Sequence, residues 1–451
     1  MFSLADICDQ CEAMRSRVIF RAIFSGHWAF MNSYSEQTGR LVALLLIAGS
    51  GIVAIAKGMS LSFLAIRLQR DFGLGPAGIG ALIGIGPLLG AMVSPLAGTV
   101  SDRLGRRMVL AIAISFAGLG MIGLGLAQSV AAFALSHIAA SIAGAVYEPV
   151  SRAMMSDAAP EKLRLKVFSW RYLAINAGWA IGPMIGLAFG ATSDVLFVVA
   201  GVVHLGFGAV IFLFVPEIAA NTETAAEQRV GGLRRLIGAF RDQRLMFFAG
   251  GGTLLVAVYG QWSVPLSQYI TKDFARGVEI FALLVSTNAA AVLVTSTPAR
   301  LVIERIGALR ALVLGCLMFL IGNLGFAMSS SVEMLVVSMI VFTIGEVLVV
   351  PAEYMLVDGI STAANRGTYF GAHSFSSIGN FFGPLLAGMA LGAYGGTGMF
   401  LLFALFSAGS ALLFAIGHSL PPPRPLGAGV TAKNPDAVLG DLLRAGRLVG
   451  T

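Results

Sequence analysis

The sequence predicts an all-α membrane protein with twelve transmembrane helices in two six-helix bundles. Hydrophobic residues occupy 57% of the 451 positions and charged residues only 12%, which leaves too little polar surface for a soluble globular protein. The chain contains twelve mostly apolar runs of about 20 residues, the length that a helix needs to cross a bilayer. One long polar segment separates the first six runs from the last six.

The predicted helices follow one another through short connections. They start near Leu41, Ala77, Met108, Val130, Phe168, Val195, Met246, Ile280, Ala308, Val332, Tyr369 and Thr397. The corresponding organisation is a cytoplasmic amino-terminal segment (1–39), a first bundle (40–216), a cytoplasmic linker (217–245), a second bundle (246–418) and a cytoplasmic tail (419–451). Cys8 and Cys11 form a lone C-x-x-C in the first segment, which is weak evidence for metal or redox chemistry.

Lysine and arginine are concentrated on one side of this predicted topology. With the amino terminus inside, only Arg67, Arg70, Lys272 and Arg276 fall in outer connections. Because cytoplasmic connections retain positive charge during insertion, we expect both termini in the cytoplasm and a multi-pass protein of the inner (plasma) membrane. Topology therefore explains the net charge of +7, and no nucleic-acid partner is expected.

A dense charged connection follows predicted helix 2. It reads G-x-x-x-D-R-x-G-R-R and comprises Gly98, Asp102, Arg103, Gly105, Arg106 and Arg107. An ordinary basic loop would explain the arginines, but not the aspartate and glycines at these spacings. The pattern resembles the loop between helices 2 and 3 of the major facilitator superfamily, whose members move small solutes by alternating access. The resemblance implies that Arg106 pairs with Asp157 at the end of helix 4 and that this network latches the cytoplasmic gate in the outward-open state.

Several features recur about 202 residues later and predict an internal repeat. Glu304, Arg305 and Gly307 follow helix 8 as Asp102, Arg103 and Gly105 follow helix 2. In the same way, Gly182-Pro183 matches Gly383-Pro384, and Asp157 matches Asp358. Two parallel halves of this kind build facilitator-type transporters, with a substrate site near the midplane between them.

Predicted helix 5 carries a run of glycines around a proline. The run includes Gly178, Gly182, Pro183 and Gly186, and it resembles the antiporter motif found chiefly in exporters of the superfamily. Glycines four residues apart allow close helix contact, and the proline removes a backbone donor. Generic packing of membrane helices is the alternative interpretation.

Five ionisable residues lie in or next to apolar helices, where each charge is costly and a functional role is the default hypothesis. They are Lys57, Glu148, Arg152, Glu346 and Glu353. Helical spacing places Glu148 with Arg152 and Glu346 with Glu353. The resemblance implies that Lys57 and the three acids surround one cavity. Glu148 lies deep in an apolar helix with a cation one turn away, so it is the first candidate for a proton carrier, and Glu346 or Glu353 are the alternatives. A fixed ion pair of Glu148 with Lys57 or Arg152 that only braces the helices is the competing interpretation.

Three further residues are weaker candidates. His137 occupies the place of an arginine in the superfamily's proton-coupling motif; histidine can exchange protons near neutral pH, but it can equally be a packed residue. Gln261 and Trp262 in predicted helix 7 suit a pocket for amphipathic molecules, although ordinary aromatic packing explains them as well.

Within the superfamily, the sequence resembles the drug:proton antiporter branch and MdtH-like multidrug-resistance transporters. The resemblance rests on the runs around Tyr147-Glu148-Pro149, Pro351-Ala-Glu353 and Arg366-Gly-Thr-Tyr-Phe-Gly371. It implies proton-coupled efflux of a small amphipathic compound by a monomer without a cofactor. An anionic metabolite, siderophore or lipid bound by Lys57 and Arg152 is the alternative cargo, and a transporter-fold sensor is a remote alternative. The sequence has no nucleophile-and-base pattern for an enzyme and no phosphate loop for ATP-driven transport.

Overall fold

The computed structural model describes residues 37–159, 161–216, 239–260, 262–361 and 366–421, and nearly all of them are helical. Ten helical runs among them are long and apolar enough to cross a membrane. The last run, Thr368–Ser419, is divided by a non-helical Gly395. The more polar Glu161–Ala188 is also long enough to span. The described residues therefore contain the twelve predicted helices.

The helices are numbered α1 to α12 in chain order. Their bounds are α1 Gln37–Leu61, α2 Pro76–Leu104, α3 Arg106–Leu126, α4 Val130–Ala158, α5 Glu161–Ala188, α6 Asp194–Phe214, α7 Gln243–Tyr259, α8 Gly277–Ile306, α9 Ala308–Met328 and α10 Val332–Ile360. Helix α11 begins as Arg366–His373, passes through a 3₁₀ segment, Ser374–Ile378, and ends at Gly395, after which α12 occupies 396–419. Two short segments on the other side of a break, Leu64–Phe72 and Ser263–Asp273, extend α1 and α7. We call them the outer segments.

The internal repeat is visible in the lengths and caps of the helices. Helices α3 and α9 each have 21 residues, and α4 and α10 each have 29. Ser129 and Ser331 cap α4 and α10 in the same way, each accepting a backbone hydrogen bond from the residue three positions later. Gly105 and Gly307 have φ of 90° and 84° at the matching junctions, a conformation that glycine adopts without strain.

Helix packing follows the same repeat. In the first half α1 packs on α5, α2 on α4 and α3 on α6, and in the second half α7 packs on α11, α8 on α10 and α9 on α12. The halves meet where α2 contacts α11 and α5 contacts α8. The fold is thus two six-helix bundles joined along two helix pairs.

Glycines bring α2 and α11 together backbone to backbone near the outer segments. A Cβ atom on Gly84 would lie 2.9 Å from the Cα of Phe381, and one on Gly388 would lie 3.0 Å from the backbone nitrogen of Ala77. We call this contact the glycine seam. Because both partners are main chain, larger side chains on these glycines would push the halves apart.

The outer segments close one end of the molecule. They contact each other, and Phe63, at the start of the first segment, is fully buried against Phe281 of α8 with ring centroids 6.2 Å apart. Leu64 and Leu68 belong to the same buried apolar cluster as Val264 of the other half. The predicted topology makes this the extracellular end.

Arg67 fixes the outer segment of α1 onto its own bundle. Its side chain is only 2% exposed. It donates to the carbonyl oxygens of Leu124, at 2.7 Å, and Gly125, at 3.2 Å, and it pairs with Asp194 at 2.9 Å. Its guanidinium also lies 4.8 Å from the ring centre of Phe197. The carbonyls at the end of α3 thus receive the donors that the helix itself cannot supply.

Candidate functional site

A cavity of about 760 Å³ lies between the two halves. Helix α4 forms much of its wall, Lys57 comes from α1, and Tyr354 and Asn380 come from α10 and α11 of the second half. The cavity reaches the end of the molecule opposite the outer segments, where the Arg152 side chain is 60% exposed. The space between the halves is therefore accessible at one end and closed at the other.

Glu148 lies on the cavity wall within an arginine pair. Its Oε2 accepts a hydrogen bond from Arg171 of α5 at 2.8 Å, and Arg152 lies 3.7 Å from the same oxygen. Arg171 is buried and also donates to the hydroxyl of Ser50 in α1. The geometry therefore fits an ion pair of Glu148 that braces the helices, but the residue that donates the hydrogen bond is Arg171 and not Lys57. Its position just inside the predicted start of helix 5 could have identified it by the criterion that selected Lys57.

Lys57 contributes a cation to the cavity without a direct partner. Within the described ranges its ammonium group has no hydrogen bond and no ion pair, although the charges of Glu148 and Arg171 are near enough to act on it. Lys57, Arg152 and Arg171 are three cations around one carboxylate, Glu148. The cavity therefore has an excess of positive charge when its histidines are neutral.

Two histidines also line the cavity. His137 Nε2 lies 2.9 Å from the carbonyl oxygen of Ile83 in α2, so its ring is held by the packing of α2 against α4. His204 of α6 is fully buried and contacts the carbonyl oxygen of Ala200 through Nδ1 at 2.6 Å. Its Nε2 has no hydrogen-bond partner among the residues the structure describes.

The resemblance implied that the two acidic residues of α10 would line the cavity with the other charges. Neither Glu346 nor Glu353 is among the described residues that line it. Glu346 accepts a hydrogen bond from Asn288 of α8 at 3.0 Å. Glu353 is buried and lies 2.9 Å from His373 Nε2 of α11. The two acids of α10 therefore contact different neighbouring helices: Glu346 bonds to α8 and Glu353 contacts α11.

The charged connection between α2 and α3 is described in part. Arg106 pairs with Asp157, as expected, and Arg107 lies over the ring of Phe212 in α6, 5.6 Å from its centre. Both contacts stay inside the first half, so the Arg106–Asp157 pair does not itself join the two halves. The pair is formed here although the outer end is closed, so it is not confined to an outward-open state. Gly98, Asp102 and Arg103 belong to α2. The surroundings of Gly98 and the side chains of Asp102 and Arg103 lie outside the described part of the chain.

The glycines of α5 pack directly on α1. A Cβ atom on Gly178 would lie 2.6 Å from the Cβ of Ala54, one on Gly182 2.7 Å from the carbonyl oxygen of Ile55, and one on Gly186 2.8 Å from the ring of Phe63. Pro183 lies within the same helix. These residues form a close helix contact inside one half, and their role in antiport stays a prediction.

Trp262 does not line the central cavity. It packs inside the second half, 6.2 Å from the ring centre of Phe342, and borders a small aromatic pocket with Phe326 and Phe400. Ordinary aromatic packing therefore describes it better than a role in the cavity. Gln261 lies outside the residues that the structure describes.

Comparison with known proteins identifies relatives over most of the chain. The Major Facilitator Superfamily model matches residues 46–267 and 252–448. The uncharacterised MFS-type transporter YqjV of Bacillus subtilis (strain 168) is 30% identical over 369 residues, which cover 81% of this chain and 90% of YqjV. A Na(+), Li(+), K(+)/H(+) antiporter of Planococcus maritimus is 26% identical over 361 residues, covering 72% of this chain and 84% of that protein.

The fold has a counterpart among solved structures. The crystal structure of the nucleoside transporter NupG superposes with a TM-score of 0.70 at 16% sequence identity. The superposition covers 84% of this chain and 100% of NupG. At this identity the likeness concerns the arrangement of the helices and not the solute.

Proposed function

Because the chain belongs to the major facilitator superfamily of membrane transporters, we propose that it exports a small amphipathic compound in exchange for protons. The cavity between the halves carries this proposal. Its volume of about 760 Å³ falls within the range of small-molecule sites, about 300–1,000 Å³. Its wall combines apolar side chains such as Met121 with the charges of Lys57, Glu148 and Arg152, which suits a molecule with both apolar and polar parts.

The closed outer end supports alternating access. The outer segments and the glycine seam separate the cavity from that side, whereas Arg152 lies exposed at the other. Rocking the two halves about the cavity would reverse this arrangement. With the amino terminus in the cytoplasm, as the distribution of positive charge favours, the structure corresponds to the inward-facing state of the cycle.

Proton coupling is the second part of the proposal. Ionisable side chains in the membrane region are costly to retain, yet the described helices keep Glu148, Glu346 and Glu353 together with two cavity histidines. The name of the Planococcus relative describes an exchange of cations for protons. An antiporter driven by the proton gradient accounts for both observations.

An anionic cargo is a second candidate, and Lys57 favours it. Its ammonium group faces the cavity without a direct partner among the described residues, and the arginines outnumber the nearby carboxylate. A ligand carboxylate could complete this site with a charge-assisted hydrogen bond. The wild-type protein would then prefer anions to cations of similar size.

Purified protein in liposomes tests both candidates. Vesicles contain the pH-sensitive dye pyranine and receive an imposed pH gradient, and the solutes are ethidium as a cation, fluorescein as an anion and Nile red as a neutral amphipathic compound. We expect at least one solute to accelerate proton movement in the direction opposite to its own. Protein-free vesicles control for leakage. Proton movement in the same direction as the solute, or none with any solute, would contradict the antiport proposal.

A further inference from the structure

We propose that His373 and Glu353 form the site that holds the coupling proton, with His373 Nδ1 as the atom that takes it up and releases it. This inference rests on the proposed exchange of solute for protons and names the residues that would perform it. It places the proton in the second half of the protein, behind the cavity wall, instead of at Glu148.

The geometry of the pair leaves one ring nitrogen available. His373 Nε2 lies 2.9 Å from Glu353 Oε1, and the two side chains are 5% and 4% exposed. With Nε2–H donating to the carboxylate, Nδ1 carries a lone pair, and it has no hydrogen-bond partner in the described ranges. A proton can therefore bind at Nδ1 without breaking the existing hydrogen bond.

The repeat relates His373 to Arg171 of the first half, and the acid that each contacts lies on the fourth helix of its own bundle. His373 lies 202 positions after Arg171, and each donates to an acidic residue on the fourth helix of its bundle, Glu353 or Glu148. The guanidinium of Arg171 stays charged at all relevant pH values, whereas imidazole changes charge near neutrality. The first pair is therefore a permanent ion pair, and the second can exist with or without its proton.

The charge balance explains why the proton would be held and then released. The neutral imidazole and the Glu353 carboxylate together carry one negative charge, and a proton on Nδ1 makes the pair neutral overall. A buried charge without compensation is strongly unfavourable. The pair would keep its proton while it is closed to water and pass it to water once the surrounding helices admit solvent.

The pair lies directly behind the cavity wall. Tyr354 and Ser374, the residues next to Glu353 and His373 in the chain, both line it. Helix α11 also changes from α to 3₁₀ geometry directly after His373, and such a change within a helix often marks a hinge. A small rearrangement there would bring Nδ1 into contact with cavity water.

Neighbouring helices add titratable groups that are neutral near pH 7. Tyr259 of α7, Cys316 of α9 and Tyr354 of α10 are near enough for the charge of Glu353 to act on them. Gly252 of α7 presses against the pair, since a Cβ atom there would lie 2.9 Å from the His373 ring. The charges of Arg152 and Glu346 also act on Tyr354 and Tyr259. Among the described residues Arg152 pairs with Glu148 and Glu346 bonds to Asn288, so a proton on His373 would balance the charge of Glu353.

The first test measures protonation directly and needs no solute. The full chain, labelled with ¹⁵N-histidine, is placed in lipid nanodiscs, and its five histidines are observed by NMR. The signal of His373 is identified by its loss in His373→Asn. At acidic pH we expect the signal of a doubly protonated ring, with a proton on Nδ1 while Nε2 keeps its contact with Glu353. A ring that stays neutral at every pH at which the protein remains folded would overturn the proposal.

The second test asks whether this proton drives transport. His373→Arg gives the second half the permanent cation that Arg171 supplies to the first. We expect loss of gradient-driven movement of ethidium or fluorescein, whichever the wild type transports, with solute exchange at equal pH retained. His418→Arg, at the exposed end of α12, is the matched control and should behave as the wild type.

If His373→Arg still moves the solute in response to the pH gradient, the inference is wrong. It is also wrong if the well-folded variant loses both gradient-driven movement and solute exchange at equal pH. If His373→Arg fails to fold, the NMR result on the native sequence decides. Should wild-type protein move neither solute with protons, the proposed function fails, while the NMR titration still shows whether His373 binds a proton.

Discussion

Replacing Gly182 by alanine tests whether the α1–α5 contact is as tight as the structure indicates. The new Cβ atom would lie 2.7 Å from the carbonyl oxygen of Ile55 and 2.8 Å from the Cα of Gly58, against 3.4–4 Å for ordinary contact. Both neighbours are main chain, so the two helices must separate by about 0.6 Å or more to accept the methyl group. Overpacking of this kind costs about 1–3 kcal/mol.

Part of that cost is offset by helix propensity, since alanine favours a helix over glycine by up to about 1 kcal/mol. We therefore expect Gly182→Ala to lower the free energy of unfolding by about 1 kcal/mol, and by no more than roughly 2 kcal/mol after the full offset. The assay is thermal unfolding of the purified protein in detergent, read as the midpoint temperature. Gly206→Ala is the matched control, because nothing lies within 4 Å of the position where its Cβ atom would be.

We expect Gly206→Ala to unfold at or slightly above the wild-type midpoint and Gly182→Ala clearly below it. Equal midpoints for the two variants would refute the reasoning, because they would show that α1 and α5 have room for the methyl group. The expected loss is structural and therefore holds whether or not the glycine run serves antiport.

Three other substitutions test the charges. Glu148→Gln should lower the free energy of unfolding by roughly 1–3 kcal/mol, because it leaves Arg171 buried without its carboxylate. The 38% exposure of Glu148 limits the effect, and an unchanged thermal midpoint would argue against a bracing role. Lys57→Ala should abolish any preference for fluorescein over ethidium in a binding assay, whereas Lys57→Arg should keep it, and an equal preference in both variants would remove Lys57 from the site. Asp102→Asn should reduce transport more than membrane insertion, and wild-type transport rates in the well-folded variant would contradict the gate hypothesis.

The sequence predicted the helices well because their boundaries depend on local signals. Helices α4 and α10 begin where a serine cap precedes an apolar run, at Val130 and Val332. Helix α5 begins at Glu161 instead of near Phe168, because its first two turns are too polar for a hydropathy pattern to register. The 3₁₀ segment in α11 also left no pattern in the sequence, since it depends on contacts with α2 and α7.

The candidate site was harder to predict because partner choice depends on how helices rotate against one another. The sequence identified Glu148 and Lys57 as neighbours across α1 and α4, but the hydrogen bond goes to Arg171 of α5. It grouped Glu346 with Glu353 by helical spacing, yet they bond to different helices. Spacing along one helix gives the face of a side chain, and the identity of the helix opposite that face comes from the tertiary packing.

The glycine seam has a consequence for how the outer gate responds to its surroundings. At this seam Gly84 and Gly388 each lie against the main chain of the opposite helix. The adjoining outer segments contact the other half through buried apolar residues such as Phe63. Salt screens interactions between charges and has little effect on contacts of this kind. The rate at which the outer face opens should therefore vary little with ionic strength.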